Sequence, residues 1–215
     1  MKNTFIFDLD GTLLNTINDL ADSTNFALEK NGYKKRTVEE VRSFVGEGVR
    51  KLMVRALPND VDDSVIDQCI KDFKEYYSKN MRNKTAPYEG IMELLKTLKD
   101  NNMKVGVVSN KFDRAVKELC KDYFGDLIDI AVGEREGIAK KPAPDSVFEA
   151  LRILDSKKEC VLYIGDSDTD METAKNAGVD SIGVTWGFRD REVLIETGAK
   201  YIAEKPLDIL EISKI

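Results

Sequence analysis

Phe5-Ile6-Phe7-Asp8-Leu9-Asp10-Gly11-Thr12 carries an apolar strand directly into two carboxylates, a glycine and a hydroxyl. Side chains of a strand alternate with period two, so Asp8 and Asp10 face the same side. Two carboxylates held side by side repel each other. A cation or an electrophilic phosphoryl group between them removes that cost. Taken alone, the stretch also reads as a buried strand ending in an acidic turn, so the rest of the chain decides.

Working outward, apolar runs at residues 104–108, 127–132, 160–164 and 181–184 predict further strands. Helical spacing marks 91–98, where Ile91, Leu94, Leu95 and Leu98 share a face, and also 115–123, 147–154 and 171–177, the last closed by Gly178. Strands alternating with helices imply a parallel sheet covered on both faces. The stretch 15–80 breaks this rhythm. Ile17, Leu20, Ala21, Ala27 and Leu28 mark one helix, stopped by Gly32. Thr37-Val38-Glu39-Glu40 is the pattern of a capping box for a second. Val49, Leu52, Met53 and Leu57 mark a third, stopped by Pro58, and 65–77 makes a fourth. The expected organisation is a core of 1–14 with 82–215 and a helical insert of 15–81, joined near 13–16 and 81–89.

Lys and Arg number 33 against 39 Asp and Glu, a formal charge of −6. That balance argues against a nucleic-acid partner, which requires a basic face. An anionic substrate would need a local basic pocket. No apolar run reaches bilayer length, so no membrane partner is expected. Met1-Lys2-Asn3 leads straight into the first strand without a signal pattern, and a cytoplasmic location is expected. Cys69, Cys120 and Cys160 are far apart and read as reduced thiols. The chain has no histidine, which excludes Ser-His-Asp triads, phosphohistidine chemistry and histidine metal sites. Catalysis is left to carboxylates, hydroxyls, amides and lysine.

The polar residues fall at strand ends. Asp8 and Asp10 follow the first strand; Ser109, Asn110 and Lys111 follow 104–108; Lys141 lies in the loop beyond 127–132; Asp166, Ser167 and Asp170 follow 160–164. Ligands of open parallel sheets sit beyond the carboxyl ends of the strands, so four segments converge on one edge.

Asp8-Leu9-Asp10-Gly11-Thr12-Leu13, Ser109-Asn110-Lys111, Lys141-Pro142-Ala143-Pro144 and Gly165-Asp166-Ser167-Asp168-Thr169-Asp170 resemble, in order, the four motifs of the haloacid dehalogenase-like hydrolase superfamily. Phe44-Val45-Gly46-Glu47-Gly48-Val49, Arg55-Ala56-Leu57 and Val184-Thr185-Trp186-Gly187-Phe188 resemble its phosphoglycolate phosphatase-like subgroup. The resemblance implies an α/β fold, a Rossmann-like parallel sheet core with a small helical cap domain inserted after the first strand. It implies a magnesium-dependent phosphatase that hydrolyses a small phosphate monoester through an aspartyl-phosphate, with 2-phosphoglycolate as the best guess. Pyrophosphatase, sugar-phosphate phosphatase and phosphomutase activities use the same mechanism, and a non-catalytic binding module is a rival of another class.

By the same resemblance Asp8 is the nucleophile and Asp10 the general acid and then base. Lys141 supplies a fixed charge, while Ser109 and the Asn110 amide hold phosphoryl oxygens. Mg2+ is expected on Asp8, the Asp10 carbonyl and Asp166, with Asp170 a fourth ligand or a support behind them. The Thr12 hydroxyl is expected to support Asp10, while Arg50, Lys51 and Arg55 read first as solvated helix charges, with a substrate carboxylate as the alternative partner of one of them. Asp168 and Lys140 are expected to face solvent. Asn15 stands where relatives often carry an acid. The expected partner is a small phosphorylated metabolite, and the expected state a monomer or homodimer.

Overall fold

The strand β1, Thr4–Phe7, forms over the residues expected of it, and all four side chains are buried. A strand buried on both faces needs cover on both, as in an α/β layer. The computed structural model describes residues 2–214; positions 1 and 215, which bound the expected core domain, lie outside them.

After β1 the chain makes the short strand β2 (Leu14–Asn15) and four helices, α1 (Ile17–Lys30), α2 (Val38–Phe44), α3 (Val49–Ala56) and α4 (Asp63–Asn80). It returns through β3 (Ala86–Pro87), which pairs with β2. The core then continues as α5 (Ile91–Asp100), β4 (Lys104–Phe112), α6 (Asp113–Phe124), β5 (Ile130–Glu134), α7 (Asp145–Ile153), β6 (Val161–Gly165), α8 (Asp168–Ala177), β7 (Asp180–Val184), α9 (Arg191–Glu196), β8 (Tyr201–Ala203) and α10 (Asp208–Ser213). The six long strands form one sheet in the order β5-β4-β1-β6-β7-β8. Every pair in it is parallel.

From β1 the chain builds outward through β4 and β5, then crosses back to build β6, β7 and β8 on the other side. The direction of winding therefore reverses at β1, the place where α/β sheets open a crevice at their carboxyl edge. Ile6, Val108 and Tyr163 belong to one apolar cluster with Val147, Ala150 and Leu151 of α7 and Ala174 and Ala177 of α8. Phe5, Phe7, Leu162 and Ile164 alternate to the opposite face and are equally buried.

Two strands of the main sheet differ by more than one residue from the runs read in the sequence, and a third is additional. β4 runs on to Phe112 through polar residues, with a register irregularity against β5 between Val108 and Phe112. β5 begins at Ile130 rather than 127, because Gly125–Leu127 form a 3-10 turn. β8 was not foreseen, since three residues are too few to show a period.

The chain divides into two compact units, Met1–Leu14 with Pro87–Ile215, and Asn15–Ala86. In the helical unit the expected capping box is present: Thr37 Oγ1 accepts from the Glu40 N–H at 3.2 Å and the Glu40 carboxylate accepts from the Thr37 N–H at 2.7 Å. Residues beyond α4 group with the helices through Asp19 of α1. Its buried carboxylate accepts from the Lys84 N–H at 3.0 Å, the Thr85 N–H at 2.9 Å and the Thr85 hydroxyl at 2.8 Å.

Candidate active site

Asp8 is one residue past β1, yet its N–H still donates to Ile164 O at 2.8 Å, so the ladder with β6 carries it to the carboxyl edge. The chain then turns sharply. Leu9 O accepts from the N–H groups of Leu13 and Leu14, both at 3.0 Å, and Gly11 N–H donates to Leu14 O at 2.9 Å. Gly11 has φ +92°, and a Cβ there would lie 2.2 Å from Asp166 Oδ2. Only glycine meets both the backbone conformation and the close approach.

Lys141 reaches the same edge from the loop after β5. Its Nζ donates to Asp8 Oδ1 at 2.6 Å, Asp170 Oδ1 at 2.7 Å and the Tyr163 hydroxyl at 3.2 Å, and the residue is 5% exposed. The Asn110 side chain holds this loop in place. Its Oδ1 accepts from the Lys141 N–H at 2.8 Å and its Nδ2 donates to the Lys141 carbonyl at 3.0 Å. Neighbouring Lys140 instead pairs with Glu134 and is largely exposed.

Asp166 and Asp170 enter from β6 and α8. Asp166 Oδ2 accepts from the Phe188 N–H at 2.7 Å, and its Oδ1 accepts from the Thr12 hydroxyl at 3.1 Å. Thr12 thus supports Asp166 rather than Asp10, because the turn after β1 carries its hydroxyl across to β6. Asp170 closes a capping box with Ser167, whose hydroxyl donates to Asp170 Oδ2 at 2.5 Å, while the Tyr163 hydroxyl donates to Oδ1 at 2.9 Å. Asp170 therefore belongs to both the capping box of α8 and the acidic cluster. Asp168 at the same helix end pairs with Arg189 at 3.5 Å and is half exposed.

Asp8, Asp166 and Asp170 each offer a carboxylate oxygen, and these oxygens lie within 4.8 Å of one another. The Lys141 ammonium is in direct contact with two of them, Asp8 and Asp170. Burial raises the Asp8 pKa well above the carboxylate range; Lys141 opposes the rise, and Asp170, Asp166 and Asp10 add to it. Burial, with Asp170, pushes Asp166 up to about 7 against the Phe188 and Thr12 hydrogen bonds. For Lys141 burial works against the charge, but Asp170 and Asp8 outweigh it and hold the pKa well above the usual lysine value. With all three carboxylates ionised, the cluster holds more negative charge than its lysine neutralises. Hard oxygen donors with excess negative charge fit a small divalent cation such as magnesium.

Asp10 lies outside that cluster. Both of its carboxylate oxygens accept from Lys111 Nζ, each at 2.8 Å. Ser109 Oγ accepts from the Lys111 N–H at 3.3 Å and the residue is buried beside it. The pairing of Lys111 with Asp10 was not foreseen, nor were the parts played by Tyr163 and the Phe188 N–H. In the helical unit Arg50 is bound to Asp63 and Asp67, and Arg55 to Glu47 and the Phe44 carbonyl. Two of the three cations considered as partners of a substrate carboxylate are thus engaged by local partners.

No helix among the described residues is long and apolar enough to cross a membrane. Residues 5–184 match the model of the family described as haloacid dehalogenase-like hydrolase. The phosphoglycolate phosphatase of Aquifex aeolicus is 32% identical over 184 residues, covering 85% of this chain and 84% of that one. That of Neisseria gonorrhoeae is 33% identical over 193 residues, covering 87% and 82%. A crystal structure from Lactobacillus delbrueckii subsp. bulgaricus superposes with a TM-score of 0.94 at 35% identity, over 99% of each chain. That of a predicted phosphoglycolate phosphatase from Haemophilus somnus gives 0.91 at 26% identity, over 99% and 98%. Four convergent motifs, a parallel sheet that reverses its winding at β1 and a match over most of the length lead to one conclusion: the chain belongs to the haloacid dehalogenase-like hydrolase family.

Proposed function

We propose that this protein is a magnesium-dependent phosphatase that hydrolyses a small phosphate monoester through an aspartyl-phosphate on Asp8, with 2-phosphoglycolate as its substrate. The observation that carries the reading is the buried group of Asp8, Asp166 and Asp170 around the Lys141 ammonium, at the carboxyl edge where the winding reverses. The relatives that cover most of the chain are phosphoglycolate phosphatases.

Asp8, Asp166 and the Asp10 carbonyl would hold the metal, with Asp170 beside them. When bound, magnesium offsets the repulsion between an attacking carboxylate and an anionic phosphoryl group. An Asp8 oxygen bonds to phosphorus as the ester P–O bond breaks, and the leaving oxygen takes a proton from Asp10. Asp10 then takes a proton from water as the water oxygen attacks phosphorus, releasing phosphate and restoring Asp8. Lys141 keeps a fixed positive charge against Asp8 throughout. Ser109 and the Asn110 N–H hold phosphoryl oxygens where charge develops. The helical unit serves as the cap that limits which leaving group enters.

The test is phosphate release from a panel of small phosphate monoesters, with and without magnesium, beside Asp8→Asn. The reading expects release that needs magnesium, is lost in Asp8→Asn and is greatest for 2-phosphoglycolate. Equal release by wild type and Asp8→Asn overturns the nucleophile. A low rank for 2-phosphoglycolate overturns the substrate and leaves the mechanism standing.

A further inference from the structure

We propose that Lys111 determines specificity at this site: its ammonium takes up a carboxylate carried by the leaving alcohol of the substrate and lets go of Asp10 in doing so. The inference rests on the phosphatase reading and deepens it, since it names a residue that selects esters of small hydroxy acids.

Lys111 Nζ donates to both oxygens of Asp10 at 2.8 Å, with side chains only 6% and 13% exposed. Charge-assisted contacts of this kind, shielded from water, are among the stronger ones in a protein. The contacts with Asp8 and Asp170 are made by Lys141. Lys111 brings a second, largely buried charge to this edge. It stands at Asp10, the group that meets the leaving oxygen.

That placement decides what the ammonium can recognise. Whatever oxygen departs must come within a hydrogen bond of Asp10, and the ammonium is one hydrogen bond further on. In a 2-hydroxy acid ester the carboxylate sits on the carbon that bears the ester oxygen, so it arrives beside the ammonium when the ester oxygen arrives at Asp10. Moving the ammonium from one carboxylate to another exchanges like for like. The exchange also takes the Lys111 contact off both oxygens of Asp10. A neutral alcohol offers the ammonium no replacement, so the contact of Lys111 with Asp10 stays in place. Discrimination then comes from what the wrong substrate fails to release as well as from what the right one binds.

The experiment compares kcat/KM for 2-phosphoglycolate with that for ethyl phosphate, the phosphate ester of an uncharged alcohol of similar size. It is run with magnesium on wild type, Lys111→Met, Lys111→Arg and the surface control Lys140→Met. The wild type is expected to prefer the acid ester by at least about tenfold, the scale of one charge-assisted contact. Lys111→Met is expected to cut that preference at least about tenfold, Lys111→Arg to restore part of it, and Lys140→Met to leave it in place. A smaller wild-type preference, or a smaller loss in Lys111→Met, overturns the inference. If Lys111→Met does not fold, Lys111→Gln carries the same comparison. A wild type that turns over neither ester overturns the phosphatase reading, and this inference with it; an unchanged ratio in an active variant overturns this inference alone.

Discussion

The Asn110 side chain closes on both polar groups of the Lys141 backbone, accepting from its N–H at 2.8 Å and donating to its carbonyl at 3.0 Å. A primary amide is the side chain that offers one donor and one acceptor side by side, so a neutral, rigid link joins the end of β4 to the loop after β5. Through it Asn110 sets where the Lys141 ammonium stands between Asp8 and Asp170.

Asn110→Ala should therefore act through Lys141. It leaves a buried N–H and a buried carbonyl without the amide, at a cost of about 1–3 kcal/mol for each group left unsatisfied. We expect a lower melting temperature and a kcat reduced by at least about tenfold, because the ammonium loses its fixed position. Asn110→Asp keeps the acceptor but sets a carboxylate against the Lys141 carbonyl, and should be no better than alanine. Steady-state kinetics beside thermal melts decide; a variant with wild-type kcat would remove the positioning role.

Magnesium should stabilise the protein itself, apart from any turnover. Ligand at a hundred times its dissociation constant adds about 2.7 kcal/mol, which for a chain of this length is roughly 5–10 °C in melting temperature. Asp166→Asn keeps the shape but gives up a charged oxygen of the cluster, and most of the shift should disappear. Thermal melts with and without magnesium measure this. An equal shift in wild type and Asp166→Asn would place the ion elsewhere.

Gly187 offers a subtler handle on the same carboxylate. A Cβ on it would lie 2.2 Å from Asp166 Cβ, 2.5 Å from Asp166 Oδ2 and 2.5 Å from Gly11 O. Two of these neighbours belong to the side chain that the next residue, Phe188, holds by its N–H at 2.7 Å. Gly187→Ala must push the segment or the carboxylate aside. We expect about 10–100-fold weaker magnesium affinity, the range seen when a ligand's support is disturbed, with the fold retained. Isothermal titration with magnesium reads it, and unchanged affinity would show that the segment yields without moving Asp166.

What the chain disclosed in advance was whatever is written locally. Asp8 and Asp10 are read from a strand and a turn, and Thr37 with Glu40 from a four-residue cap. The pairings that do the positioning were hidden because the sheet register makes them. Lys111 and Asp10 are 101 residues apart, Asn110 and Lys141 31, and Asp166 and Phe188 22. No period in the sequence encodes which strand end lies beside which. Thr12 shows the limit at short range. Asp10 lies only two residues before it, but a turn closed on Leu9 O hands the hydroxyl to Asp166. β4 was read short because Asn110 and Lys111 are polar, although the strand carries them to the edge where polarity is needed.

The helical unit has its own acid sensitivity, centred on Asp72 of α4. Asp72 is buried and accepts from Lys30 Nζ at 2.7 Å, Asn31 Nδ2 at 2.9 Å and Gln68 Nε2 at 3.1 Å. Burial works against its ionisation, but the bonds from Lys30, Asn31 and Gln68 outweigh burial and hold its pKa below the usual carboxylate value. A carboxylate whose pKa is lower folded than unfolded stabilises the fold above its unfolded pKa of about 3.9, and that stability is lost as pH falls through the folded value. Asp72→Asn should therefore be less stable than wild type at pH 7, with the gap flat down to about pH 5 and closing below about pH 4. Urea melts of both proteins across that range give the gap directly. A gap that stays constant into strong acid would mean that the Asp72 charge contributes nothing and that only its shape and neutral hydrogen bonds matter.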